Sequence, residues 1–436
     1  MRRRITLLLP VFLSLPLAVS AAVQTLPAGN DALLAPVALL PESPTADDPY
    51  RAALEHLVKG NLDAAEAGFR AQLQANPKSA RALLGLAEVA FRRKRMQDGE
   101  SFLLRALKID PENAYVQSSL GRYYAATGKP EPAERHLKEA LRLAPGRDPV
   151  RMDLADFYNT RLNRPQDALP LYDKVIASQP GHAGAHYARG IAWWKQGNRA
   201  QAKVDLEASS RLDPENPLPI EALARLQAEE GKHDEALRTL ERILVKSPQL
   251  ARPRVLRSEI LAARGDVDGA IRELETLVRN TPGNLEFRLR LAMALHARGR
   301  LDDALGHYRR ATEIDPRSAV AFNNAAAIQL QRRTSPELAE KWAQRAVELT
   351  PGNADYRETL GRALLARGRT DDALRQFARV RELAPQDAGL LAGIGLALAD
   401  RGLHRPARDY LSAALGSTQP FAGADRARRT LEKLPQ

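Results

Sequence analysis

The amino-acid sequence predicts an all-α fold, a right-handed superhelical solenoid of about eleven helical hairpins followed by a C-terminal capping helix. The main observation is a series of prolines spaced 34 or 35 residues apart over most of the 436-residue chain. A unit this short cannot bury its apolar face alone, so the fixed period indicates units that stack on their neighbours. These prolines are Pro77, Pro111, Pro145, Pro180, Pro214, Pro248, Pro282, Pro316, Pro351, Pro385 and Pro420.

Small residues keep the same period. One stands twelve positions before ten of the prolines, as Ala133 does, and another recurs twenty-four positions before many of them, as Gly121 does. Two helices approach closely only where side chains are short, so these positions indicate where two helices cross. Seven units also have a glycine seventeen positions before the proline, where glycine permits the left-handed conformation that ends a helix. Each unit is therefore predicted to be two helices and a tight turn.

One unit carries most of a known repeat motif. Leu120-Gly121, Tyr124, Ala133, Leu137 and Pro145 resemble the tetratricopeptide repeat (TPR) pattern W-x2-L-G-x2-Y…A-x3-F…P. The resemblance covers roughly residues 46–420, and other units match the pattern in part. It implies a solenoid of TPR hairpins over that range.

The first tryptophan of the motif is absent. Gln117, His186 or Arg357 stands in its place, so we expect fewer aromatic side chains in the contacts between neighbouring units. Two intervals also hold an extra residue between the predicted helices, at Arg161 to Pro165 and at Arg332 to Pro336. Insertions of this kind belong in loops.

The chemistry of the second insertion predicts how the next helix begins. Ser335 is predicted to cap that helix, with Pro336 at its first position, where a missing amide hydrogen costs nothing. At the other end of the array, residues 421–436 place apolar side chains on one helical face and are predicted to form the capping helix.

Residues 1–22 have the pattern of a secretory signal peptide. Three arginines precede the apolar run Ile5 to Val19, and Ser20-Ala21-Ala22 follow it. An uncleaved inner-membrane anchor is the alternative, but the run is short for a membrane span and contains two prolines. Residues 23–45, with four prolines, are predicted to be a flexible linker. The pattern favours a periplasmic or secreted protein with no stable membrane span after cleavage.

Composition restricts the partners. The chain has no cysteine, which excludes disulfides and a lipid-modified cysteine. Its formal charge is +12, and loss of the three signal-peptide arginines leaves +9. A basic balance favours acidic proteins or an anionic polysaccharide as partners, and export argues against nucleic acid. The alternative is that the arginines only solvate exposed helix faces.

The resemblance implies that the first helix of each unit lines an inner groove. Register then gives the groove candidates Arg81, Phe91, Tyr115, Arg122, Tyr187, Trp194, Asn323, Asn324, Glu358 and Arg362. Aromatic rings beside arginines suit sugar faces or extended peptides. Alternatively, Tyr115 and Trp194 simply pack between adjacent units. Asn323 and Asn324 are the only pair suited to gripping a terminal carboxylate, and the expected partners of such a clamp are missing in neighbouring units.

Patterns typical of catalysis and cofactor binding are poor. The stretch Gly121 to Lys129 lacks the spacing and the hydroxyl of a phosphate loop. His182 and His186 stand four apart and could share a metal, but no third ligand lies nearby in sequence. We therefore expect no catalytic, metal or cofactor residues, and a protein that is not an enzyme.

The leading functional hypothesis is an exported TPR scaffold that mediates protein–protein interactions in a bacterial envelope assembly. The stretches Asn323 to Ala326, Trp342 to Pro351 and Thr359 to Gly361 are similar to paired units of TPR proteins in exopolysaccharide and PEP-CTERM systems. Direct binding of an anionic polysaccharide or an extended peptide in the groove is the alternative. An accessory hydrolase or transferase activity on envelope polymers is a third hypothesis, and it would require paired acids in a cleft.

Overall fold

The computed structural model describes residues 49–435, and this part of the chain is entirely helical, with 23 α-helices and no strand. The helices form eleven successive hairpins, α1/α2 to α21/α22, and a last helix, α23. The predicted all-α array of TPR-like hairpins with a C-terminal helix is thus confirmed. The predicted signal peptide, residues 1–22, and linker, residues 23–45, lie outside the described residues.

The chain divides into two compact units at Ile243 and Leu244, within helix α12. The helices of the N-terminal unit are α1 (Pro49–Val58), α2 (Leu62–Ala75), α3 (Ala80–Arg92), α4 (Met96–Ile109), α5 (Ala114–Ala126), α6 (Pro130–Leu143), α7 (Asp148–Asp156), α8 (Pro165–Ser178), α9 (Ala183–Lys195), α10 (Arg199–Leu212), α11 (Pro217–Glu229) and α12 (His233–Lys246). A π-helical turn, Phe157–Arg161, follows α7 directly.

The C-terminal unit contains the remaining hairpins. Its helices are α13 (Ala251–Ala263), α14 (Val267–Asn280), α15 (Leu285–Ala297), α16 (Leu301–Ile314), α17 (Ala319–Arg332), α18 (Pro336–Leu349), α19 (Ala354–Ala366), α20 (Thr370–Leu383), α21 (Ala388–Ala399), α22 (His404–Leu415) and α23 (Ala424–Lys433). Helix α23 packs against α21 and α22 and buries Ala427. It therefore covers part of the last hairpin.

The periodic small residues lie where the two helices of a hairpin touch. Ala133 is fully buried, and a Cβ on Gly121 would lie 2.5 Å from Cγ of Leu137 in the facing helix. The seven periodic glycines all have left-handed backbone conformations, with φ between 72° and 92°. Units without the glycine keep the same conformation, because Lys94, Asn163 and Arg333 have φ of 59°, 51° and 56°. The turn geometry therefore belongs to the repeat, and glycine is the residue that adopts it with least strain.

The residues that stand in place of the motif tryptophan make hydrogen bonds. Gln117, for example, donates to the carbonyl oxygen of Pro111 at 3.0 Å and lies 2.7 Å from Nδ1 of His136 in the second helix of its own hairpin. Arg357 likewise donates to the carbonyl of Pro351 at 2.9 Å and to Gln376 at 3.0 Å. The same contact to a periodic proline is made by Arg151, His186, Arg254 and Arg288. These units therefore fix the turn between repeats with hydrogen bonds where the motif has an indole ring.

The two insertions are accommodated differently. At the first, the prediction of a loop insertion is wrong, because the last turn of the helix widens into the π-helical turn Phe157–Arg161, where Leu162 N donates to Phe157 O at 3.1 Å. At the second, the loop prediction is also wrong, because α17 has 14 residues where α3, α5 and α15 have 13, and the connection to α18 keeps the usual three residues, 333–335. Pro336 begins α18 as predicted. Ser335 makes no capping hydrogen bond, however, because a cap requires extended backbone and this residue has φ 43° and ψ 61°.

Alanine substitution at two helical glycines should have opposite effects on stability. A Cβ on Gly361 would lie 2.3 Å from Cε1 of the fully buried Phe377, so we expect Gly361→Ala to cost about 1 kcal/mol, the net of overpacking and the gain in helix propensity. Gly306 also lies inside a helix but has no atom within 4 Å of that point, so Gly306→Ala should stabilise by about 0.5–1 kcal/mol. Urea denaturation of both variants tests this prediction. Equal changes in the free energy of unfolding would contradict the close helix crossing at Gly361.

Candidate functional site

The first helices of neighbouring hairpins touch one another. In the N-terminal unit α1 contacts α3 and α5 contacts α7, and in the C-terminal unit α19 contacts both α17 and α21. We call the odd-numbered helices α1 to α21, with the π-helical turn, the first-helix layer. All ten groove candidates lie on this layer, as register predicted.

Polar contacts connect equivalent places in consecutive first helices. In the N-terminal unit Nη1 of Arg92 donates to Leu57 O at 2.6 Å, and Nε1 of Trp194 donates to Glu229 Oε2 at 3.1 Å. In the C-terminal unit Arg290 Nη1 lies 2.8 Å from Glu259 Oε1. Because the partners are separated by 31 or 35 residues, close to one repeat, each contact joins a hairpin to the next one.

The aromatic groove candidates are engaged in packing. Phe91 stacks on Tyr123 of the next repeat with ring centroids 5.6 Å apart, and Trp194 is only 6% exposed. Tyr115 and Tyr187 are partly buried against apolar clusters of the same unit. Phe91 and Trp194 thus help to hold adjacent hairpins together, which favours the packing interpretation for these rings.

The charged and amide candidates differ in exposure. Arg81 is exposed, and its guanidinium lies 5.7 Å from the centroid of the Tyr50 ring. Asn324 donates to the Tyr308 hydroxyl at 3.2 Å. Asn323 is 9% exposed, and its Nδ2 donates to Asn324 Oδ1 at 3.3 Å.

Glu358 and Arg362 form an ion pair in α19. Oε1 of Glu358 lies 3.5 Å from Nη1 of Arg362, and the glutamate is 9% exposed. Burial raises the pKa of the Glu358 carboxyl, and the nearby Arg362 opposes this rise. The pair is therefore a desolvated feature of the first-helix layer in the C-terminal unit.

A group of buried acids surrounds Arg122 in the N-terminal unit. Nη1 of Arg122, on α5, lies 4.0 Å from Oδ2 of Asp153 on α7, which also contacts the Ser118 hydroxyl. One turn after Asp153, Oδ1 of Asp156 accepts a hydrogen bond from the Tyr172 hydroxyl at 2.7 Å. We call Glu88, Ser118, Arg122, Asp153, Asp156, Asn159 and Tyr172 the Arg122 cluster.

Desolvation dominates the electrostatics of the Arg122 cluster. Burial raises the pKa of Asp156 to about 7, and the neighbouring charge of Asp153 adds to the rise. The pKa values of Asp153 and Glu88 are also raised by burial, with Arg122 opposing the shift in both cases. Register selects Arg122 as a groove residue but not Asp153, Asp156 or Asn159. The sequence did contain one indication of the contact between Ser118 and Asp153, because their separation of 35 residues is about one repeat.

The stability of the N-terminal unit should fall as pH rises. Because the pKa of Asp156 is about 7 in the folded state and 3.8 in a free chain, the folded state holds a proton that the unfolded state releases between these values. Urea denaturation at about pH 5 and about pH 8 should therefore show lower stability at the higher pH. Asp156→Asn should reduce the dependence of the unfolding free energy on pH. An unchanged pH dependence would contradict the raised pKa of Asp156.

The two histidines considered as metal ligands have other partners. Nδ1 of His182 accepts from the Ala185 amide at 3.0 Å, and His186 contacts Asp205 at 3.1 Å. Among residues 49–435, no group of three or more His, Cys, Asp or Glu side chains is arranged to hold a metal ion. Over the same range, every helix is too short or too polar to cross a membrane.

Stacked hairpins whose first helices touch within each unit define a helical-repeat protein, a class that acts by presenting surface to partners. The chain belongs to the tetratricopeptide repeat family. Models of this family match residues 78–145, 118–183, 160–217, 194–259, 256–319 and 358–424. Members bind protein partners, and the family is generally non-catalytic.

Curated relatives share only part of their length with the chain. A protein described as FK506-binding protein-like from Homo sapiens is 34% identical over 117 residues, which is 25% of this chain and 33% of the relative. The protein of the same description from Mus musculus is 31% identical over 118 residues, 25% of this chain and 34% of the relative. The chain therefore spans about one third of the curated relatives that it matches.

Several solved structures are similar to the chain. PilW, described as a widely conserved type IV pilus biogenesis factor, is 24% identical with a TM-score of 0.46, over 50% of this chain and 98% of that one. The pilF protein of Pseudomonas aeruginosa is 22% identical with a TM-score of 0.41, over 48% and 95%. A tetratricopeptide repeat protein from Parabacteroides merdae is 20% identical with a TM-score of 0.44, over 57% and 99%.

Proposed function

We propose that this protein is a non-catalytic scaffold of a bacterial envelope assembly, and that its first-helix layer binds an extended segment of a protein partner. Membership of the tetratricopeptide repeat family supports the protein-binding part of the proposal. The signal-peptide pattern of residues 1–22 supports the location in the envelope.

Buried polar atoms without partners carry the proposal. Such atoms in the first-helix layer include Nε of Arg122 and of Arg288, Oδ1 of Asn159 and of Asn323, and Oε1 of Glu229. Buried polar groups in folded proteins almost always make hydrogen bonds, because leaving one unpaired costs about 1–3 kcal/mol. A bound peptide segment supplies both donors and acceptors, which are the groups that these atoms lack.

The pathway is the finer part of the proposal. We place the scaffold in exopolysaccharide biosynthesis or secretion because the stretch from Asn323 to Gly361 is similar to paired units of proteins in those systems. We do not extend the proposal to direct binding of a glycan by aromatic rings. Phe91 and Trp194 already pack between neighbouring hairpins and are not free to stack on sugars.

Site-specific photocrosslinking in cells tests the proposed function. A photoreactive phenylalanine derivative at the exposed Arg81, on α3, should capture the same protein in repeated experiments. The matched control is Val204, which is 56% exposed on the second helix α10. Capture of identical proteins at both positions, or of unrelated abundant proteins at Arg81, would overturn the proposal.

A further inference from the structure

We propose that the Arg122 cluster binds a basic side chain, a lysine or an arginine, of the partner segment. This inference rests on the proposed function and names the chemistry recognised in the N-terminal unit. It is opposite to the expectation from composition, because a chain of formal charge +9 without its signal-peptide arginines favours acidic partners overall.

The cluster has more negative groups than its cations neutralise. Of its three acids, Glu88 accepts a hydrogen bond from Arg92 at 3.1 Å, and Asp153 lies 4.0 Å from Arg122. Asp156 makes no ion pair within the part of the chain that the structure describes, and its recorded partner is the neutral hydroxyl of Tyr172. A carboxylate that is removed from water without a cation is costly, so the arrangement favours an added positive charge.

A buried amide oxygen points to the same ligand chemistry. Asn159 is 1% exposed and lies one turn after Asp156. Its Nδ2 donates to Ala188 O at 3.3 Å, and its side chain also interacts with the Tyr172 hydroxyl, but its Oδ1 has no partner. Since Oδ1 can only accept, the missing group is a hydrogen-bond donor.

The site is open enough for a side chain to reach it. The side chains of Asp153 and Arg122 are 20% and 16% exposed, so one edge of the cluster faces solvent. An ammonium or guanidinium group carries several donors and a positive charge, which matches two carboxylates and one amide oxygen. An anion would meet three acids, and a metal ion would lack a suitable ligand group among residues 49–435.

Binding should be coupled to proton release. Arg122 on α5 and Tyr172 on α8 face the two aspartates. Glu88 on α3 interacts with Arg122 and with Arg92, and Lys195 on α9 donates to Asn159 O. A cation placed between the aspartates favours their ionised forms, so it displaces the proton that burial retains. The affinity for a basic peptide should therefore rise with pH through neutrality.

Fluorescence anisotropy on the full chain tests the inference. The probes are labelled octapeptides of sequence Gly-Ser-Gly-X-X-Gly-Ser-Gly, with X as lysine, arginine, glutamine or glutamate. We expect the lysine and arginine peptides to bind more tightly than the other two, although non-specific attraction by a basic protein would favour glutamate. Asp153→Asn and Asp156→Asn should each weaken binding by about tenfold or more.

The control variant is Asp98→Asn, which removes an exposed carboxylate from α4 of the same unit and should leave the affinity unchanged. Equal affinity of all four peptides, or equal affinity of the three variants, would overturn the inference. If a cluster variant fails to fold, a photoreactive lysine peptide bound to the unaltered chain gives a second measurement. Crosslinks on α5 and α7 support the site, and crosslinks only elsewhere contradict it.

The two proposals fail in different ways. If the partner captured through Arg81 contacts the layer with an acidic or apolar segment, the inference is wrong and the scaffold function stands. If basic peptides bind at the Arg122 cluster but no dedicated partner is captured in cells, the scaffold function is wrong and the site remains.

Discussion

Replacing Phe377 by alanine should lower the free energy of unfolding of the C-terminal unit by about 3–5 kcal/mol. Phe377 is fully buried in α20, and its ring lies against Gly361 of the facing helix, where an added Cβ would come within 2.3 Å of Cε1. The ring of Tyr410 in the next hairpin lies 6.5 Å away, centroid to centroid. A cavity bordered by backbone cannot collapse easily, so most of the lost contact energy should appear as instability.

Urea denaturation followed by circular dichroism measures this effect. The matched control is Leu383→Ala, at the end of the same helix, where the side chain is 40% exposed. That substitution should cost less than about 1 kcal/mol. A similar cost for both variants would mean that Phe377 does not occupy the interface between the two helices.

Replacing Asp205 by alanine should destabilise the N-terminal unit by about 3–5 kcal/mol. The side chain of Asp205 is 2% exposed and accepts hydrogen bonds from Arg189 at 2.7 and 2.8 Å. It also lies 3.1 Å from Nδ1 of His186, which contacts the carbonyl of Pro180. Removal of the carboxylate leaves a half-buried guanidinium without its main counter-charge, and that desolvated charge is the source of the cost.

Asp173→Ala is the control for this prediction. Asp173 also lies 2.8 Å from Arg189, but its side chain is 53% exposed, so we expect a loss of about 0–1 kcal/mol. Thermal denaturation should separate the two variants clearly. The double substitution Asp205→Leu with Arg189→Met should recover much of the lost stability, since an apolar pair needs no counter-charge. If Asp205→Ala costs no more than Asp173→Ala, and the double substitution recovers no stability, the ion pair between Asp205 and Arg189 contributes little to the free energy of unfolding.

The hairpin architecture was predictable because it depends on local spacing. Each periodic proline, small residue and turn glycine acts within one hairpin or at the next turn, so its role can be inferred from one unit. The π-helical turn was not predictable, since one extra residue between Asp156 and Pro165 fits a loop equally well. The proline contacts of Gln117 and Arg357 were also missed, because a polar residue at a motif position suggests weaker packing and not a new hydrogen bond.

The candidate site was predicted only at the level of the helix layer. Register placed the candidates on first helices, but it could not reveal the hydrogen bonds from Trp194 to Glu229 and from Ser118 to Asp153, because both cross from one repeat to the next. Burial decides the chemistry of these groups, and burial depends on the neighbouring hairpin. The acids of the Arg122 cluster therefore became visible only in three dimensions.

Part of the basic charge is used within the fold. Arg298 pairs with Asp268 at 2.9 Å, and Arg367 pairs with Glu340 at 3.0 Å. In each case an arginine at the end of a first helix contacts an acid on the second helix of the preceding hairpin. These cations are locally neutralised, so net charge is a weak guide to what the first-helix layer attracts.

The contacts that join hairpins have a mechanical consequence. The hydrogen bonds from Arg92, Trp194 and Arg290 each span about one repeat and reach no further. A protease cut or a strained hairpin would then disturb the adjacent hairpins, while more distant hairpins of the same unit stayed folded. Each unit can therefore open at one hairpin and close again without unfolding as a whole.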